Sequence, residues 1–151
     1  MGAAHGRRPH PALFALAAVI LSLTCVHPCL EGAIRSASRL ARSAEVAETL
    51  LTAVCRSMEL GAVDDATDDD EAAARVSAIQ ARCTVAWSYY DQFRADWLVL
   101  ASAIEAVEGQ GDQGARDVES ALERLAEDEE RLLTAIRAIT ESSSSSYLRE
   151  R

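Results

Sequence analysis

The chain has 151 residues, of which 49% are hydrophobic, 26% are charged and 5% are aromatic. This length supports one domain with its own core, and a content of only seven glycines and three prolines favours long helices over sheets and turns. All 15 basic residues are arginine and the chain has no asparagine, which excludes lysine Schiff-base chemistry, a phosphate-loop lysine and N-glycosylation.

Charge and histidine are unevenly distributed along the chain. From Glu31 onward, 24 acidic residues face 13 arginines, for a formal charge of −11, and all three histidines precede residue 28. Nucleic-acid binding needs a basic face, so we expect no nucleic-acid partner. The missing imidazoles exclude His-based triads, His acid–base catalysis and His-ligated zinc from the body of the chain.

Residues 1–29 have the layout of a signal peptide or a membrane anchor. Arg7 and Arg8 precede an apolar, uncharged run at 12–26, after which His27 and Pro28 break the pattern. A run of about 15 apolar residues fits a secretory signal better than the roughly 20 residues that span a bilayer. An uncleaved anchor is the alternative.

Cys25 occupies the place of the lipid-modified cysteine in a bacterial lipoprotein, so lipidation at Cys25 is a further alternative. The usual lipobox has leucine three residues before the cysteine and a small residue directly before it, where this chain has Ser22 and Thr24. Cleavage without lipidation, and an intracellular or virion protein with a buried first helix, are also open. We expect no metal at Cys25, His27 and Cys29, because a fourth ligand is lacking.

After the leader, apolar residues recur at alternating steps of three and four, which is typical of helices with one buried face. This predicts helices at about 32–60, 70–108 and 113–141. The predicted fold is all-α, an up-down-up antiparallel bundle over 30–141, with a disordered Ser-rich tail at 142–151. The stripe of the central helix comprises Val76, Ile79, Cys83, Ala86, Tyr90, Phe93, Trp97, Leu100, Ile104 and Val107.

The acidic stretch before the central helix is predicted to cap it. Asp68 and Glu71 have the spacing of a capping box, and acids there lie at the positive end of the helix dipole. The stretch lacks the alternating ligands and the central glycine of a calcium loop. We therefore expect no calcium site and no other cofactor.

Cys55 and Cys83 are predicted to form a disulfide if the chain is exported. Cys55 lies near the end of the first helix and Cys83 lies in the stripe of the second, so an antiparallel hairpin brings them to the same side. Closing this loop would stabilise the fold by about 3 kcal/mol. In a reducing compartment both cysteines would be small buried hydrophobic residues.

Glu129 interrupts the apolar stripe of the third predicted helix, between Leu125 and Leu132. A carboxylate there could form a buried polar pair with an arginine of the central helix such as Arg94. The alternative is that Glu129 lies on the solvated face formed by the surrounding acids.

Four side chains of the central helix are candidates for an interaction surface, to the extent that the bundle leaves them exposed. They are Trp87, Tyr89, Trp97 and Leu98. A protein partner or self-association is therefore expected, and the sequence indicates no small-molecule substrate.

The overall layout resembles small helical proteins encoded by GC-rich bacteria and their phages. The resemblance depends on a leader that ends in cysteine, three Arg/Ala/Glu-rich helices, two helix cysteines and the aromatic stretch at 83–94. It implies an envelope lipoprotein, in some cases a spanin-like protein of phage lysis.

Three functions are compatible with these features. The first is a non-enzymatic envelope protein, exported to or across a membrane through its N-terminus, that serves as a structural or binding module. The second is a phage lysis or virion component. An enzyme is the least favoured, because it would need a pocket that gathers Glu129, another acid and Arg94.

Overall fold

The computed structural model describes residues 30–64 and 68–148. Helix α1 spans Glu31–Asp64, and a second helical element spans Asp69–Leu148. Gly111 interrupts this element with φ 54° and ψ −130°. We therefore divide it into α2, at 69–110, and α3, at 112–148. The described residues form an all-α bundle of three helices, as the sequence predicted.

Contacts between the helices establish the up-down-up order. Cys55 and Glu48 of α1 contact Cys83 and Tyr90 of α2, so the numbering rises along one helix as it falls along the other. The turn at Gly111 then returns the chain, and α3 lies antiparallel to α2. An ion pair between Arg39 and Glu129 joins α1 to α3, two helices that consequently run in the same direction.

The core is formed by one stripe from each helix. Small side chains line the α1 stripe, with Ala37, Ala44 and Ala47 at 0–3% exposure. Larger ones fill the space from α2, where Phe93 and Trp97 are 1–2% exposed and stack with their ring centroids 6.4 Å apart. Pairing small with large side chains lets the helices pack closely without voids.

Helix ends follow local chemistry. The Asp68 carboxylate accepts a hydrogen bond from the Glu71 backbone N–H at 2.8 Å, which confirms the predicted cap of α2. Towards the other end of the chain, α3 continues through the serine run to Leu148. Serine is a tolerable helix residue, and extending an existing helix adds a hydrogen bond for each residue that is fixed.

The predicted leader at 1–29, including Cys25, lies outside the described residues. None of the helices in 30–64 and 68–148 has the length and apolar character together that would let it cross a membrane.

Candidate functional site

Two aspartates from neighbouring helices meet at the interface between α2 and α3. The carboxyl groups of Asp96 of α2 and Asp128 of α3 lie close enough to share a proton. Asp128 is 5% exposed and is the one charged residue among the buried residues that the structure describes. We call these two residues the Asp96–Asp128 pair.

Asp128 binds a proton more tightly than an ordinary aspartate. Burial, the hydrogen bond to Asp96 and the negative charge of Asp96 raise the pKa of Asp128 to about 6, and Arg131 opposes this rise. Arg131 approaches one Asp128 oxygen at 3.5 Å. The arginine is itself 58% exposed, so its charge is shared with solvent and only partly offsets the burial of Asp128.

The pKa of Asp96 is shifted in the opposite direction, below its ordinary value. Gln92 donates a hydrogen bond to its carboxylate at 2.8 Å, and this bond, together with the one from Asp128, lowers the pKa of Asp96. The positive charge of Arg124 acts in the same direction. Below about pH 6 the pair therefore holds one proton on Asp128, which donates to the ionised Asp96, an arrangement known for carboxylates too close to ionise together.

Two buried polar atoms lack a hydrogen-bond partner among the described residues. One is Oδ2 of Asp128, within the pair, and the other is Nε1 of Trp97, a core residue that follows Asp96 in the chain. An unsatisfied buried polar group costs about 1–3 kcal/mol. The pair is therefore a polar feature that weakens the core whenever its internal hydrogen bond is lost.

Chemically, the pair is suited to binding a proton and poorly suited to a substrate. Two carboxylates with separated pKa values could serve as acid and base, but Asp128 is 5% exposed. Because general acid–base catalysis needs contact with the reacting group, the observed burial favours a role in the conformation of the bundle.

The sequence missed this pair and placed the polar interruption one residue later. Glu129 is also shielded, with 14% side-chain exposure, but it pairs with Arg39 of α1 at 3.4 Å. The predicted partner, Arg94, lies 4.0 Å from Asp91 within its own helix. The structure thus replaces the predicted pair with a contact between α1 and α3, because Glu129 lies on the flank of α3 that faces α1.

Cys55 and Cys83 form the predicted disulfide. Their Cα atoms are 6.0 Å apart, and both residues are less than 10% exposed. The bond joins the C-terminal half of α1 to the N-terminal half of α2.

A second cross-link between α1 and α2 is a hydrogen bond. The Tyr90 hydroxyl donates to a Glu48 carboxylate oxygen at 2.6 Å, and Trp87 packs edge-on against the Tyr90 ring with a centroid distance of 5.6 Å. Burial, followed by the hydrogen bond to Glu48, raises the pKa of Tyr90 well above its usual range. The hydroxyl therefore remains a donor.

The four candidate surface residues have different environments. Trp97 is 2% exposed and belongs to the core, so the bundle leaves almost none of it available for contact. Trp87 and Tyr89 are half-buried against the core. Leu98 is 58% exposed and remains available for contact. Trp97 is buried because it continues the α2 stripe that Phe93 and Leu100 also occupy.

An open groove of about 320 Å³ follows the seam between α1 and α3, with Arg39 on one side and Glu129, Leu133 and Arg137 on the other. Its walls carry both signs of charge. In the described part of the chain, no three His, Cys, Asp or Glu side chains are grouped as metal ligands would be.

Comparison with known proteins finds no significant match, whether to a protein-family model, a curated protein sequence or a solved structure.

Proposed function

We propose that this chain is an exported, non-enzymatic helical module of the cell envelope, which acts as a structural or binding element. The observation that carries the proposal is the Cys55–Cys83 disulfide between α1 and α2. Structural disulfides form and persist in oxidising compartments and are rare in the cytosol. The signal-peptide layout of residues 1–29 agrees with the same destination.

The polar chemistry of the bundle supports a role without catalysis. Its most perturbed acids, Asp96 and Asp128, lie between two helices, and the Asp128 side chain is 5% exposed. The Arg39–Glu129 pair joins two helices in the same way. These groups stabilise helix contacts, which is what a spacer or binding module requires.

Binding would involve a protein partner or a second copy of the chain. Large apolar side chains remain exposed on the outside of the bundle, including Val46 and Leu50 one turn apart on α1, at 59% and 45%, and Leu98 on α2. Exposed apolar side chains of this kind contribute to protein contacts when they are grouped.

The test is the mass of the protein from its native host, measured without reduction after free thiols have been trapped with an alkylating agent. We expect it in the membrane or the periplasmic fraction, with Cys55 and Cys83 unlabelled. The N-terminal residue distinguishes the alternatives for export. A chain that starts at Cys25 and carries lipid is a lipoprotein, and a full-length chain in the membrane is anchored.

The control is the same measurement on a Cys55→Ser/Cys83→Ser variant, in which no disulfide can form. Recovery of the wild-type chain in the soluble cytosolic fraction, with both cysteines alkylated, would contradict the proposal. Hydrolytic or transfer activity that copurifies with the protein and is lost in an Asp128→Asn variant would contradict its non-enzymatic part.

A further inference from the structure

The three helices differ in the bonds that attach them to the rest of the bundle. The Cys55–Cys83 disulfide and the Tyr90–Glu48 hydrogen bond both join α1 to α2. Helix α3 is attached through the chain turn at Gly111 and through noncovalent contacts alone. Any change that weakens those contacts will therefore act on α3 before it separates α1 from α2.

The Asp96–Asp128 pair lies at the interface between α2 and α3, which no disulfide closes. It joins α2 to α3 through a hydrogen bond that exists only while one carboxyl group is protonated, because two ionised carboxylates have no proton to share. When the proton leaves, two negative charges face each other across a buried interface, and Asp128 loses its donor role. Charge burial without full compensation is costly.

The charged neighbours of the pair limit this effect without removing it. On α3, Arg131 reaches Asp128 from a largely exposed position, Glu127 adds negative charge and Arg124 acts on Asp96. On α2, Gln92 binds Asp96 as a neutral donor. From α1, Arg39 reaches α3 at Glu129, the residue after Asp128, and is paired there.

We propose that the Asp96–Asp128 pair is a proton-operated latch, which holds α3 against α2 while one proton bridges the two carboxyl groups and loosens α3 when that proton is lost. The moving part is α3, and the hinge is the turn at Gly111, whose backbone conformation only glycine adopts readily. The disulfide-linked pair of helices α1 and α2 is the fixed part.

The latch operates in the range of mild acidity. Burial and the neighbouring Asp96 raise the pKa of Asp128 to about 6, so the latch is closed in a mildly acidic medium and open at neutral or alkaline pH. This property is separate from the proposed export and envelope role, because it depends on the bundle alone.

The experiment is hydrogen exchange followed by mass spectrometry on the oxidised protein, at about pH 5 and about pH 7.5, with rates corrected for the intrinsic effect of pH. We expect corrected exchange within 118–139 to be about tenfold faster at the higher pH, since one coupled proton raises the open fraction by up to tenfold per pH unit between the ordinary aspartate pKa of about 4 and the raised pKa of about 6, and no further above it. Exchange within 40–55 should change little.

An Asp128→Asn variant provides the decisive comparison. The side-chain amide that this substitution introduces donates to Asp96 at every pH, so the exchange difference between the two conditions should disappear. A matched control is Glu127→Gln, which removes the neighbouring acid at a 68% exposed position and should retain the pH effect. A pH effect that persists unchanged in the Asp128→Asn variant would overturn the latch.

A second measurement does not depend on the stability of that variant. A Trp87→Phe variant contains one tryptophan, Trp97, which follows Asp96 on α2 and whose indole Nε1 is buried in the core. We expect its fluorescence to change with a midpoint near pH 6 and Asp96→Asn to move that midpoint to lower pH, because Asp128 then faces a neutral amide. A flat titration between about pH 5 and 7.5 would also overturn the latch.

Discussion

Tyr90 joins α1 and α2 through a hydroxyl group that the surrounding core shields from water. A Tyr90→Phe substitution keeps the ring and its edge-on contact with Trp87 but removes the hydrogen bond to Glu48. We expect a loss of about 1–2 kcal/mol in the free energy of unfolding, because the hydrogen bond involves a charged acceptor. Urea unfolding measures this loss, and Tyr89→Phe at a half-buried neighbouring position is the control. Equal stabilities for the two variants would refute the assigned role of the Tyr90 hydroxyl.

The two carboxyl groups of the latch give the free energy of unfolding a definite dependence on pH. The raised pKa of Asp128 means that its stabilising contribution is complete below the ordinary aspartate pKa of about 4 and is lost as the pH rises through about 6. The lowered pKa of Asp96 means that its contribution is present above about pH 4 and is lost under more acidic conditions. The contribution of the pair is therefore greatest near pH 4.

This dependence is measurable as a change in Tm. We expect the Tm of the wild type to fall by several degrees between about pH 4.5 and pH 7.5, whereas Asp128→Asn should melt at nearly the same temperature at both values. The variant should also be the more stable protein at pH 7.5, because its amide donates without a charge. A wild-type Tm that rises over this interval would contradict the assignment of the pKa values.

At the scale of residues, the sequence pattern predicted most of the apolar core but did not predict that Asp128 is buried in it. Both Leu122 and Ala121 can begin a three-and-four repeat through α3, and they lead to Glu129 and Asp128 respectively, one heptad later. The larger Leu122 favoured the first of these repeats. The structure buries Ala121 at 4% exposure and Asp128 at 5%, and Leu122 packs partly buried against the same core. The packing partner Asp96 has no sequence signal of its own, because the contact depends on how α2 and α3 align.

At the scale of helices, three glycines lie between the two stripes of the long helical element, and only one of them breaks it. Gly111 has φ 54° and ψ −130°, whereas Gly109 and Gly114 are helical. Glycine is needed at position 114 because of close packing, since a Cβ there would lie 2.9 Å from the Val107 Cα. The sequence predicted a break within this cluster but could not choose the residue, because glycine permits many conformations.

A pair of alanine substitutions tests this assignment. Nothing lies within 4 Å of a Cβ added at Gly111 or at Gly109, so each substitution reports backbone conformation alone. We expect Gly111→Ala to destabilise the bundle by about 1–3 kcal/mol, because its φ and ψ are strained for residues with a Cβ. Gly109→Ala should instead be neutral or should stabilise α2 by up to about 1 kcal/mol.

Chemical denaturation of the two variants under identical conditions gives the difference directly. If Gly111→Ala is as stable as Gly109→Ala, the turn is not at Gly111 and the hinge of the latch would have to be placed elsewhere.

Some helix boundaries are set by a local sequence signal, and others depend on the cooperative extension of a helix that has already formed. The capping residue Asp68 marks the start of α2 through its own chemistry, and the prediction there is correct. The serine run has no such signal, because serine is neither a strong helix former nor a strong breaker. Whether α3 continues through it depends on the helix that precedes it, which composition alone does not reveal.

At the scale of the whole molecule, the bundle combines a covalently closed hairpin with a third helix that is held by noncovalent contacts. The hairpin contributes alanines and two cysteines from positions with helical spacing, and both features were evident in the sequence. Which polar groups join the interfaces was not evident, because it depends on how the helices align. The disulfide and the Tyr90–Glu48 bond join α1 to α2, and the Asp96–Asp128 pair lies between α2 and α3.

The disulfide makes a prediction about the stability of the entire bundle. Its cysteines are 28 residues apart, and a cross-link of this length is expected to stabilise by about 3–4 kcal/mol through the lost entropy of the unfolded chain. We expect reduction to lower the Tm by on the order of 10 °C. Calorimetry of the oxidised protein, with and without reductant, measures the change, and thiol labelling verifies that the buried bond has been reduced.

A Cys55→Ala/Cys83→Ala variant separates the effect of the cross-link from any other effect of the reductant. Both positions are less than 10% exposed, so alanine keeps their apolar character while leaving a small cavity. The variant should melt near the reduced wild type and should not respond to reductant. Because α1 and α2 lose their covalent link in it, the exchange of amides within 40–55 should then approach that within 118–139. If the two segments still exchange at very different rates, the disulfide is not what distinguishes the fixed helices from α3.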